Sequence, residues 1–272
     1  MAKKPANPCQ GLMFVEGSSD IDFLKDLSRG VISSVDSQPS GDVYACSFGA
    51  RTDISSEHSA RLKEVFSPAV THGSLRLIIW LLDGDGHSVT DDAVQQNIEQ
   101  RVANLNTVLV DTLNIQLPSD GLSSYQRNSL INATISYNNN ESLDIKIGYY
   151  ILEQNPSINN QIPIVDIESA LLNMISDVNR ITILENLRNE LTQQDTDSVS
   201  PYYGGFSSQG HLNKALFRVF AYLTPHENQR CRNEWRPFVS ATLSSLIQND
   251  TLGHNPLAQL IRHIHAEIPL GR

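Results

Sequence analysis

The sequence predicts an α/β protein: a Rossmann-like parallel sheet flanked by helices, followed by a helical C-terminal segment. Three observations predict it. Short apolar runs end on acidic residues or glycines, and helical stripes lie between those runs. Residues 75–82, Leu-Arg-Leu-Ile-Ile-Trp-Leu-Leu, are almost continuously apolar, as a central parallel strand buried on both faces requires.

The first run, Leu12 to Val15, stops at Glu16-Gly17 and reads as a buried strand. Ser18 or Ser19 is positioned to cap a helix with Ile21, Leu24 and Leu27 on one face, closing near Gly30. Asp42 to Gly49 reads as a second strand and Ser55 to Phe66 as a helix. The 75–82 strand runs directly into Asp83-Gly84-Asp85-Gly86. Thr90 is positioned to cap a long helix with apolar residues at 94, 98, 102, 105, 109 and 113. Ile131 to Tyr137 and Leu143 to Leu152 flank Asn138-Asn139-Asn140, as in a hairpin or a further strand pair. Asp166-Ile167-Glu168 opens a helix with Leu171, Leu172 and Ile175 on one face. Residues 193–210 are polar, Gly/Ser-rich and aperiodic. They separate an α/β domain over 1–192 from a helical segment over 200–272, with helices expected near 211–223, 235–248 and 256–267.

Composition narrows the function classes. No apolar run approaches the ~20 residues of a membrane span, and the N-terminus has no apolar h-region behind its two lysines. Three cysteines, Cys9, Cys46 and Cys231, lie far apart without a CxxC pair, so neither a disulfide framework nor a zinc knuckle is expected. A reducing, cytoplasmic setting follows as the expectation. The net charge of −10 argues against tight sequence-independent gripping of nucleic acid by the whole surface. The charge is uneven, however. Residues 201–272 hold seven Lys+Arg against four Asp+Glu and five of the eight histidines. An acidic body with a mildly basic tail fits a metal held in one part and phosphate contacted by another. It equally fits acidic residues that only keep a protein in solution.

Two short motifs carry chemistry. In Val15-Glu16-Gly17-Ser18-Ser19-Asp20, a glutamate ends a strand, a glycine permits a tight turn, and Asp20 falls in the first helical turn. An aspartate there is also an ordinary response to the helix dipole. Asp83 and Asp85 are stronger candidates, because two carboxylates at i and i+2 on a glycine-relaxed loop can share a hard cation such as Mg²⁺. Carboxylates packed this closely repel one another unless a cation is present. Arg230, Arg232 and Arg236 beside Trp235 could contact single-stranded nucleic acid, or simply be solvated charges beside a packed aromatic. His263 and His265, at i and i+2, point to different helix faces, so a surface role is expected instead of a shared metal.

The ordered pair strand-Glu-Gly-helix and strand-Asp-x-Asp resembles the TOPRIM domain of topoisomerases, bacterial primases, ribosomal-RNA maturases and OLD-family nucleases, over roughly residues 10–115. The closer resemblance is to small stand-alone TOPRIM proteins related to OLD nucleases. It extends to Ile145–Pro156, to Asp166-Ile167-Glu168 and to Lys214-Ala215-Leu216-Phe217. Such proteins often carry lysine after the Glu-Gly, where this chain has Ser18, and the ATPase P-loop of a full OLD protein is absent from the sequence.

The resemblance implies a Mg²⁺- or Mn²⁺-dependent nuclease acting on DNA or RNA phosphodiesters. Glu16, Asp20, Asp83, Asp85 and Glu168 are the implied metal ligands or acid/base groups, and Lys214 reaches the scissile phosphate. It also implies a role as an anti-phage effector, with any ATPase on a separate subunit, and leaves oligomerisation open. Two alternatives stand beside it. One is a non-catalytic TOPRIM interaction module that partners an ATPase or binds a nucleotide. The other is a haloacid-dehalogenase-type phosphatase using Asp83 and Asp85. That family's motif normally opens its fold and is followed by Thr, where this chain has His87 after two βα units.

Overall fold

The computed structural model describes residues 9–36, 41–48, 56–84, 127–137, 141–152, 164–175, 178–193, 209–223 and 255–268, with scattered positions between 100 and 116. Two compact units divide the chain. The first comprises Met1–Leu82, Thr90–Ile151 and Leu260–Arg272, and the second Asp83–Val89 and Leu152–Gln259. This partition is discontinuous and differs from the division at 193–210, because the last helix joins the sheet-bearing unit.

The sheet has seven strands: β1 Gly11–Val15, β2 Ile32–Ser34, β3 Val43–Ser47, β4 Leu77–Asp83, β5 Ile115–Gln116, β6 Leu130–Tyr137 and β7 Glu141–Leu152. Their spatial order is β2-β3-β1-β4-β7-β6-β5. Strands β2, β3, β1 and β4 pair in parallel, while β7-β6 and β6-β5 pair antiparallel. The Lys146 N–H donates to the Arg76 carbonyl and the Gly84 N–H to the Leu152 carbonyl. Those partners ascend together, so β7 also runs parallel to β4. The result is the expected α/β architecture, a mostly parallel sheet with helices on its faces.

The pleat explains the two-sided burial of the central strands. Leu12 and Phe14, Tyr44 and Cys46, Ile78, Trp80 and Leu82, and the odd residues Ile145 to Ile151 share one apolar cluster. Helix α2, Ser56–Thr71, adds Leu62, Phe66, Ala69 and Val70 to it. This helix passes Pro68 and continues for a further turn, because Ala69 and Val70 remain anchored in the core. Helix α1, Ser18–Leu27, packs on β1, β2 and β3 from the other face, burying Ile21, Phe23, Leu24 and Leu27. It closes as expected, with Arg29 and Gly30 both at positive φ.

In the second unit, Asp166 caps the short helix α3, Ile167–Leu172. Helix α4 spans Val178–Gln193 and α5 spans Gln209–Leu223, with α3 and α4 both packing on α5. Helix α6, Pro256–Glu267, runs from the second unit into the first. The Thr90 cap, the stripe positions 94 to 109 and the helix expected at 235–248 lie outside the described residues; Leu113 is helical and buried.

Candidate functional site

Chain path singles out one place on the sheet. From β1 the chain moves to β2 and β3 on one side, then returns through α2 to β4 on the other side of β1. The strand order therefore reverses between β1 and β4, where open α/β sheets bind ligands beyond their strands' carboxyl ends. The register sets Val15 level with Leu81. Glu16 follows β1 by one residue and Asp83 is the last residue of β4, both half-buried, so both positions leave the sheet at the same edge.

Asp20 has a local task. Its Oδ2 accepts a 2.9 Å hydrogen bond from the Gly17 N–H, and Gly17, not Ser18 or Ser19, is the residue that caps α1. The reason is geometric: an acid at the third helical position reaches back to the cap's orphan N–H. A Cβ on residue 17 would lie 2.9 Å from that same oxygen, so glycine suits the contact.

Among the described residues, no group of three His, Cys, Asp or Glu side chains is placed to hold a metal. Asp85, the second carboxylate of the Asp-x-Asp pair, lies outside those residues, as do His87, Arg230, Arg232, Trp235 and Arg236.

Backbone hydrogen bonds within the second unit hold Gly84, directly after β4. The Gly84 N–H is shared between the carbonyls of Leu152, at 3.2 Å, and Val165, at 3.0 Å. Directly after Val165 comes Asp166, which is only 3% exposed. Its Oδ1 accepts from the Ser169 N–H at 2.8 Å and from the Ser169 hydroxyl at 2.6 Å. Its Oδ2 is buried and has no hydrogen-bond partner among the described residues. Burial raises the Asp166 pKa, while the Ser169 bonds and the Lys214 charge act to lower it. Glu168, the expected ligand, is half-buried in the first turn of α3.

Asp166 is the functional candidate that the sequence reading passed over. Its signal was an Asp followed three residues later by a serine, just before a helix. Lys214 does not begin its helix as expected. It lies more than a turn inside α5, half-buried beside the core residues Asn213, Leu216 and Phe217, because the helix starts at Gln209.

Other groups are ruled out as the reactive centre or placed in the scaffold. Burial pushes the Cys9 and Cys46 thiols up to about 12, which keeps them protonated and poorly nucleophilic. His263 and His265 are half-buried. His263 Nδ1 shares a hydrogen bond with the Tyr150 hydroxyl, and both ring nitrogens of His265 are buried without a partner among the described residues. Helix α6 lies over the sheet, so both imidazoles are drawn in. An open groove lined by Arg76, Asn132, Thr134, Asp144, Lys146 and Glu267 lies toward the amino end of β4, away from the Glu16 and Asp83 edge. Its two bases and two acids balance.

Comparison of the chain with protein-family models, with curated proteins and with solved structures finds no match. No helix among the described residues is long and apolar enough to cross a membrane.

Proposed function

We propose that the chain is a TOPRIM-type, Mg²⁺- or Mn²⁺-dependent phosphodiesterase acting on nucleic acid. One observation carries the reading: the strand order reverses between β1 and β4, and a carboxylate-bearing residue stands at the end of each. The carboxylates of Glu16, Asp83, Asp85 and Glu168 are hard oxygen donors, the ligand type that suits Mg²⁺ and Mn²⁺. Asp83 and Asp85 hold the cation, with Glu168 in the first turn of α3 as a further candidate ligand. When bound, the cation supplies charge stabilisation to the phosphoryl oxygens. Glu16 moves the proton of the attacking or leaving oxygen, as a carboxylate at such an edge can. Lys214 offers a positive charge to the phosphate. The resemblance to OLD nucleases extends the proposal to a defence effector working with a separate ATPase.

The test is incubation of the purified chain with labelled single- and double-stranded DNA and RNA, with Mg²⁺ or Mn²⁺. Cleavage by the wild type that is lost in Glu16→Gln and in Asp83→Asn is the expected result. Equal cleavage by Asp83→Asn would assign the activity to something other than this site.

A further inference from the structure

Helix α6 is anchored differently at its two ends. At its start, Asn255 is only 5% exposed. Its Oδ1 accepts from the Leu257 and Ala258 N–H groups, and its Nδ2 donates to the Ala170 carbonyl at 2.9 Å. None of these groups titrates. Residues 260–267 belong to the first unit, and two polar contacts there run through titratable side chains. His263 Nδ1 shares a hydrogen bond with the Tyr150 hydroxyl, and the Lys146 ammonium pairs with the Glu267 carboxylate. His265 differs from both, because its two ring nitrogens are buried with no partner among the described residues. A neutral imidazole there already leaves one donor and one acceptor unpaired. Protonation would add a second N–H and a full charge at the same place, where burial and the Arg29 guanidinium both disfavour the cation. At His263, burial disfavours the cation, Glu267 favours it, and Arg262 and Lys146 disfavour it.

We propose that the C-terminal half of α6 is a proton-released latch: His265 takes up a proton when residues 260–268 lift away, while the Asn255 end keeps its hydrogen bonds. Ile264 and Ile268, both fully buried, hold the latch closed at neutral pH. Their burial does not change with pH, so acid shifts the balance through the histidines. Opening takes the Glu267 carboxylate from Lys146 and bares the Tyr150 hydroxyl. The groove that Glu267 shares with Arg76, Asp144 and Lys146 is then left with a net positive charge. The latch does not depend on the nuclease reading.

Amide hydrogen exchange of the full chain, read residue by residue by NMR between pH 7.5 and 5, tests the latch. The Ile268 N–H donates to the Ile264 carbonyl and reports the latch. The Gln259 N–H donates to the Asn255 carbonyl and reports the docked end, and β1 reports the sheet. After correction for the intrinsic pH dependence of exchange, protection at Ile268 should fall on acidification by up to roughly thirtyfold. That is the linkage limit for one histidine that titrates at the ordinary 6.5 when open and not at all when closed. Protection at Gln259 and in β1 should fall far less, and His265→Leu should remove most of the Ile268 response. Equal falls at Ile268, Gln259 and β1 overturn the proposal, because the chain then opens as a whole. Unchanged protection at Ile268 while the His265 ring titrates overturns it too, because the ring then turns to solvent with the helix in place. A response retained in folded His265→Leu has the same effect. If that variant does not fold, the wild-type comparison of Ile268 with β1 decides.

Discussion

The Tyr150 hydroxyl on β7 and His263 Nδ1 on α6 share a hydrogen bond, with the Tyr150 side chain fully buried. This contact ties the C-terminal part of α6 to β7. Burial lowers the pKa of both histidines from the ordinary 6.5. For His263, Glu267 opposes that shift while Arg262 and Lys146 reinforce it; for His265, Arg29 reinforces it.

The sign follows from linkage. The unfolded chain takes up protons at these histidines more readily than the folded one, so stability rises with pH across their titration range. The stabilisation is present above pH 6.5 and is lost as the pH falls through the lowered folded values. Melting temperatures from pH 7.5 to 5 should fall, and His265→Leu should flatten the slope. A slope unchanged in His265→Leu would show that this imidazole does not drive the acid response.

Asp20→Ala should cost about 1 kcal/mol of stability in the absence of any metal, the usual scale of a lost helix cap. The lost interaction is the Gly17 N–H to Asp20 Oδ2 hydrogen bond. Urea unfolding checks it. No loss in metal-free buffer would mean that Asp20 does not serve the helix.

Trp80 is completely buried on β4, stacked on Tyr149 at 4.7 Å and on Phe14 at 5.9 Å between ring centroids. Trp80→Ala should destabilise by about 3–5 kcal/mol through the cavity it leaves. Trp80→Phe should cost clearly less, because stacking survives and the buried indole N–H, which has no partner among the described residues, disappears with it. Equal losses in the two variants would contradict this account of the sheet core.

Much of the sheet was legible in the sequence because its central strands are buried on both faces and leave unbroken apolar runs. Leu12 to Val15 and Leu77 to Leu82 are of this kind. Strand β2, only three residues at the sheet's edge, and β5, only two, left patterns too short to read. Helix α4 was not legible for a different reason. Its apolar residues do not form a single buried stripe: Val178 is 74% exposed and Ile183 37%, while Leu184 is buried.

The candidate site divides in the same way. Glu16 and Asp83 stood out because each follows a buried strand. Asp166, two residues before Glu168, is set apart by its burial and by the Ser169 clamp. Sequence spacing carries no record of burial at a helix cap.

The most direct measurement of the central claim is the thermal unfolding of the chain with and without Mg²⁺ or Mn²⁺, in wild type and in Asp83→Ala. A ligand that binds only the folded state at a hundred times its Kd adds about 2.7 kcal/mol of stability, which a melting curve resolves readily. A metal-dependent rise is expected in wild type and none in Asp83→Ala. An equal rise in both chains would contradict a cation site at the end of β4.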